Sequence, residues 1–157
     1  MEIRQVRLTD AAVGPVLTAL AQEYQQRYGA SHEMTTTKAD EFDPPGGGFL
    51  VLVDGGQTIA GGGIRRATAD TCEVKRMWTA PDRRRQGHAA TILHSLEGLA
   101  RELGYARVRL ETGPAQPEAM ALYTRAGYAR IPVYGRYPSA RAFELVLAGG
   151  AGAPVGS

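Results

Sequence analysis

Apolar and charged positions alternate through residues 2–8, where Ile3, Val6 and Leu8 form the apolar set, and this predicts a short strand ending at Thr9-Asp10. Thr9 or Asp10 is placed to cap a following helix. Over residues 11–27, Val13, Val16, Leu17, Leu20 and Tyr24 recur at helical spacing, so one face of that helix is expected to lie on a sheet. The stretch GASHEMTTTKADEFDPPGGG is polar and rich in breakers, with a short helix expected around residues 37–42 before Pro44 and Pro45 end it. In FLVLVDGGQTIAGGGIRRA two β-rich runs flank Asp54-Gly55-Gly56, a hairpin signal because glycine tolerates positive φ. TCEVKRMWTA adds a third run, so residues 49–79 are expected to form a three-stranded antiparallel meander.

Across residues 87–103 the positions Ala89, Ile92, Leu93, Leu96, Leu99, Ala100 and Leu103 make one apolar stripe, with Gly104 placed to end the helix. ARVRLET predicts a strand with Val108 and Leu110 as its apolar set. Pro117 suits the first turn of another helix, which runs to Ala126 and stops at Gly127, and GYARI and AFELVLA predict two closing strands. These elements make one domain, residues 1–147; the low-complexity tail GGAGAPVGS, within residues 148–157, is expected to carry no structure. No internal repeat is visible.

With 157 residues, 43% of them hydrophobic, the chain can fill one core but falls short of two independent domains. A net charge of +2 argues against general attraction to nucleic acid, although a pI near 8.8 admits a local basic patch. Lys38 and Lys75 are the only lysines, and a GC-rich coding bias explains the arginine excess as well as function does. Cys72 is the single cysteine, which excludes an intrachain disulfide framework and a thiolate metal cluster. No apolar run approaches the ~18 residues of a membrane span, and MEIRQVRLTD lacks the apolar stretch of a signal peptide. A soluble cytoplasmic protein with neither nucleic acid nor membrane as partner is therefore expected.

Two familiar strings carry no chemistry. HEMTT begins like a zinc-protease HExxH but lacks the second histidine, so no metal site is expected. Gly61-Gly62-Gly63 lie inside a strand pattern without GxGxxG spacing, and no P-loop is present.

RRRQGHA, residues 83–89, is different, because it joins the end of a strand to the start of a helix with glycine at the turn. Such a start offers unpaired N–H groups and a positive dipole end to a phosphate, and the arginines add charge. Taken alone, a solvated basic loop before an ordinary helix explains it as well. Arg84-x-x-Gly87-x-Ala89, however, matches the Gln/Arg-x-x-Gly-x-Gly/Ala coenzyme A signature, and VRLETG and QPEAMALYTRAGY follow it. On these residues the chain resembles the GNAT superfamily of N-acyltransferases. The resemblance covers residues 2–147, is most specific over 73–128, and extends to the element order strand, helix, helix, meander, helix, strand, helix, hairpin.

That resemblance implies an α/β (α+β) fold, a mostly antiparallel central sheet with splayed strands flanked by helices. It also implies acetyl-CoA as co-substrate and an amine acceptor, again with no metal, while a homodimer is left open by the sequence. The pyrophosphate would rest on the backbone of Arg84, Arg85, Gln86, Gly87, His88 and Ala89, with the Arg83, Arg84 or Arg85 side chains reaching the outer phosphate. Backbone groups of Met77, Trp78 and Thr79 would pair with the pantetheine amides, and an N–H near Met77 would polarise the thioester carbonyl. Gln116 stands where many members carry asparagine at the coenzyme. Tyr123 would protonate the departing thiolate, and Glu73 would deprotonate the amine through water. Bland alternatives are a core-capping Tyr123 and an exposed Glu73 paired with Lys75, Arg65 or Arg66. Cys72 fits a buried strand better than an acyl carrier, and His88 and His94, without visible carboxylate partners, are assigned no chemistry of their own.

The acceptor pocket is expected from residues 32–45 and the segment IPVYGRYPSA. Glu41 and Asp43 suit a cationic amine, whereas Tyr134, Arg136 and Tyr137 suit a carboxylate or a ring. The expected function is acetyl transfer from acetyl-CoA to the primary amine of a small molecule by direct attack in a ternary complex. A protein or peptide acceptor, and a catalytically silent acyl-CoA-binding module, are the alternatives.

Overall fold

The unbroken apolar run in GFLVLVD leaves strand β2 (Gly48–Asp54) without a polar face, and residues 48–53 are all buried in a sheet covered on both sides. The computed structural model describes residues 1–28, 39–113, 117–135 and 137–147. The other strands are β1 (Glu2–Val6), β3 (Gln57–Arg66), β4 (Thr71–Thr79), β5 (Arg107–Thr112), β6 (Ala129–Ile131) and β7 (Arg141–Val146). They form one seven-stranded sheet in the order β1-β2-β3-β4-β5-β7-β6, antiparallel throughout except at β4–β5. The helices are α1 (Gly14–Tyr28), α2 (His88–Glu102) and α3 (Pro117–Arg125).

Period-2 alternation sorts the strand residues into two cores. Leu50, Leu52, Ile64, Cys72 and Val74 pack with Ile92, Leu93 and Leu96 of α2 and with Tyr123 of α3. On the other face Phe49, Val51 and Val53 pack with Val13, Val16 and Leu20 and with Phe42. The expected meander is present as β2, β3 and β4. The helix expected from residue 11 begins instead as a 3₁₀ turn, Ala11–Val13, capped by the Asp10 carboxylate on Ala12 N at 2.9 Å. Pro15, with no N–H to give, suits the first turn of α1, which fixes the α-helical start at Gly14. Of the short helix expected over 37–42, Ala39–Phe42 is a 3₁₀ turn and the rest lies outside the described residues, as does the tail.

Two irregularities position the site. Among the described residues β4 and β5 pair only at Thr71–Arg107, Cys72–Val108 and Glu73–Arg109, and from Val74 onward that edge of β4 has no strand partner, so the strands part. On the other edge, Gly61 faces Trp78 and Gly63 faces Lys75, so Arg76 and Met77 together oppose Gly62 in a bulge. Arg76 takes φ 62°, a conformation costing about 1–2 kcal/mol for a side-chain-bearing residue. The bulge turns Met77 toward α2 and Trp78 toward the α1 side. Gly62 permits this: a Cβ there would lie 2.5 Å from Met77 Sδ and 3.2 Å from Ile92 Cγ2. Gly62→Ala is expected to lower stability by about 1–3 kcal/mol through overpacking, read as a shift in denaturant midpoint at unchanged m-value; an unchanged midpoint would mean that Met77 swings aside freely.

Candidate active site

The approach to α2 is built from alternating backbone conformations. After the 3₁₀ turn Pro81–Arg83, Arg84 is extended, Arg85 has φ 65° and Gly87 has φ 84°. Gly87 is the N-cap and provides no side-chain cap, while its carbonyl accepts from Thr91 N at 3.1 Å and Thr91 Oγ1 at 3.0 Å. The first-turn amides are therefore left to an outside acceptor, in the positive field of the helix end.

The three arginines divide their work. Arg83 Nη1 donates to Asp54 Oδ2 at 2.8 Å, tying the loop to the β2–β3 turn, and that hydrogen bond holds the Asp54 carboxyl below its ordinary value. Arg84 Nε donates to the Thr79 carbonyl at 3.1 Å and ties the loop to the end of β4. Arg85 is 85% exposed, with Glu118 3.4 Å away. Arg83 and Arg84 thus brace the loop, Arg84 while still exposed, and Arg85 stands open to solvent at the helix mouth. His88 is buried, its Nε2 3.0 Å from Gln86 Oε1. His94, for which the sequence showed no carboxylate partner, lies 3.7 Å from Glu97 one helical turn on. Glu97 also accepts from the Tyr128 hydroxyl at 2.9 Å.

Tyr123 shares the α2-side core with Met77. Its ring centroid lies 5.6 Å from that of Phe143 and 6.0 Å from that of Tyr128, and burial pushes its phenol up to about 12. Cys72 is fully buried and burial pushes its thiol up to about 12, so it holds its proton at neutral pH and is a poor acyl carrier.

Glu73 differs from the exposed residue weighed for it: it is only 6% exposed. Its partner is Arg65, its register neighbour on β3, which donates to Oε1 from Nε at 3.2 Å and Nη2 at 3.1 Å while Nη1 holds Glu41 at 2.9 Å. Arg66 instead stacks over Tyr105 at 5.0 Å. Glu73 is covered by the segment after β6. Glu111 Oε2 accepts from the backbone N–H groups of Tyr134 at 3.0 Å and Gly135 at 2.9 Å, which seats Tyr134 over the sheet. Burial, then the neighbouring Glu73 carboxylate, raises the Tyr134 phenol. Arg109 lies 3.8 Å from the Tyr134 ring centroid.

Of the expected acceptor residues, Glu41 is committed to Arg65 and Tyr134 faces Glu73, while the Asp43 Oδ1 atom is buried without a hydrogen bond. His32, Gln116 and Arg136 lie outside the described residues. Arg109 and Glu111 were missed in sequence, although their alternation with Val108 and Leu110 places both on the face away from α2. Among the described residues no group of three metal-ligating side chains occurs, and no helix is long and apolar enough to cross a membrane.

Residues 16–128 match the model of the Acetyltransferase (GNAT) family. An Escherichia coli (strain K12) N-acetyltransferase, YjgM, itself uncharacterized, is 29% identical over 140 residues, 82% of each chain. A crystal structure of a Klebsiella pneumoniae protein described as an acyl-CoA N-acyltransferase superposes with TM-score 0.77 at 28% identity, over 93% of this chain and 97% of that one. The PaiA N-acetyltransferase of Thermoplasma acidophilum, solved in complex with coenzyme A, has TM-score 0.71 at 15% identity, over 93% and 99%, and speaks to the fold.

Proposed function

The chain belongs to the acetyltransferase (GNAT) family, and from that we propose that it transfers an acetyl group from acetyl-CoA to the primary amine of a small molecule, by direct attack within a ternary complex. The observation that carries this reading is the opening between β4 and β5 beyond Glu73–Arg109, which leads along an unpaired strand edge to the uncapped start of α2. An extended ligand with amides along its arm and phosphates at one end fits both features.

When bound, acetyl-CoA supplies an activated acyl carbonyl and a thiolate leaving group. The amides at Gly87, His88 and Ala89 hold the pyrophosphate, and Arg85, exposed beside them, reaches an outer phosphate. The backbone of Met77, Trp78 and Thr79 orients the arm, with the Met77 N–H polarising the carbonyl where the bulge turns the strand. Gln116 is assigned to the coenzyme on the family resemblance alone. Tyr123 keeps its proton at the phenol oxygen and offers it to the sulfur as charge develops there. Glu73, steadied by Arg65, takes the ammonium proton through water.

Free-thiol release from acetyl-CoA over a panel of amines tests the reading: turnover on small amines supports it, turnover on peptides alone overturns it, and no turnover on either removes the enzymatic reading. For Glu73→Gln the expected loss of turnover is about tenfold at pH 7, below the ~10²–10⁴ of a directly positioned base because water relays the proton. A lysine-type amine with pKa about 10 is mostly protonated there, so the loss should shrink as pH rises toward 9–10. A variant whose pH–rate profile overlays the parent's would leave Glu73 only its ion pair with Arg65.

A further inference from the structure

Arg109 stands on β5 in register with Glu73 on β4, at the last residue pair before the two strands part. No ion pair among the described residues includes it. Its Nε is buried without a hydrogen bond, and the carboxylates around it are engaged elsewhere, Glu73 by Arg65 and Glu111 by two backbone N–H groups. A half-buried guanidinium without a counter-ion is costly, and stacking on one phenol ring offsets only part of that. Stacking does orient it, because the Tyr134 ring covers one face of the planar group and leaves its N–H edges in plane for a planar anion. The platform is fixed: Glu111 clamps the loop, and a Cβ at residue 135 would run into the Glu111 carboxylate.

The anion is not a coenzyme phosphate. Arg109 sits at the closed apex of the opening, level with Glu73, whereas the phosphate end lies beyond Thr79, about 20 Å along the strand at ~3.3 Å per residue. Met77 is four residues from Glu73 along β4, about 13 Å, a distance that an arginine side chain and a short amino acid can span together. α2 and the Tyr123 cluster occupy the other face of the sheet, away from Arg109, and α1 packs on the Arg109 face toward Trp78, so an acceptor reaching Arg109 enters from the Tyr134 side. Resting on the small-amine reading above, we infer that Arg109, stacked on Tyr134, binds a carboxylate of the acceptor, so that the substrate class is amines carrying a carboxylate, amino acids foremost.

The test is calorimetry on the full chain saturated with coenzyme A, titrated with amino acids each paired with its carboxamide and its decarboxylated amine. At least one carboxylate-bearing member is expected to bind about tenfold or more tightly than its neutral partners. Arg109→Gln should abolish that preference while leaving coenzyme A affinity and binding of the neutral partners unchanged. Arg109→Lys, which keeps the charge without the fork, should retain part of it and serves where the glutamine variant fails to fold. Matched pairs that bind the parent within threefold of each other, a panel with no binder, or equal weakening of both members by Arg109→Gln would each overturn the assignment. Thiol release separates the two readings. Arg109-dependent carboxylate binding with turnover on peptides alone keeps the anion site and removes the small-amine acceptor. Turnover of small amines without carboxylate preference does the reverse.

Discussion

Gly87→Glu is expected to weaken coenzyme A binding by about 10³-fold or more. Two independent terms add. Gly87 has φ 84°, and a side chain in that region costs about 1–2 kcal/mol, relieved only if the loop abandons the conformation that presents the α2 amides. The second term is charge: a carboxylate about 4 Å from a phosphate repels it by roughly 4 kcal/mol at an effective dielectric of 20. Gly87→Ala separates them, since a Cβ at this position meets nothing within 4 Å, so alanine carries the backbone term alone and should cost about tenfold. Calorimetry with coenzyme A on both variants, alongside circular dichroism for the fold, gives the two losses. A folded Gly87→Glu protein with parental affinity would move the phosphates off this helix.

The framework that holds this site was legible in the sequence, and the reason is periodic. The stripe from Ile92 to Leu99 fixes which face of α2 meets the sheet, so the loop before it must open at the end of β4. The β4–β5 separation followed from resemblance and not from pattern, because TCEVKRMWT contains no glycine or proline to mark a break. The bulge at Arg76 is likewise silent in its own strand; its trace is Gly62 on the neighbouring strand, read only as a glycine without a nucleotide motif. Glu73 alternates with Cys72 and Val74 and so reads as solvent-facing. It is buried because the aperiodic segment around Tyr134, together with Arg65 and Glu41, covers that face. Arg109 escaped notice for the same cause: a covering loop leaves no period-2 signature on the strand beneath it. The His94–Glu97 pair could have been found, since i,i+3 neighbours on a helix lie within reach of each other.

Tyr123→Phe should lower turnover by about 10²-fold, the low end of what a general acid supplies. Burial raises the phenol to about 12, whereas a thiol of cysteine type titrates near 8.5. Full proton transfer to the thiolate is then uphill. Tyr123 therefore acts chiefly by donating a hydrogen bond to sulfur as negative charge builds, an interaction with a charged acceptor worth about 1.5–3 kcal/mol. The same elevation keeps the phenol neutral through the whole working range, so the parent's alkaline pH–rate limb should owe nothing to Tyr123 and should overlay that of the variant below about pH 10. Phenylalanine keeps the ring contacts with Phe143 and Tyr128, so the melting temperature and coenzyme A affinity should stay near parental. The loss then belongs to the chemical step, since the hydroxyl matters most where charge develops. Single-turnover kinetics with saturating acetyl-CoA and the best amine isolate that step. A Tyr123→Phe protein whose chemical step runs within twofold of the parent's would make the tyrosine a packing residue of the α2-side core and leave the proton of the departing thiol to water.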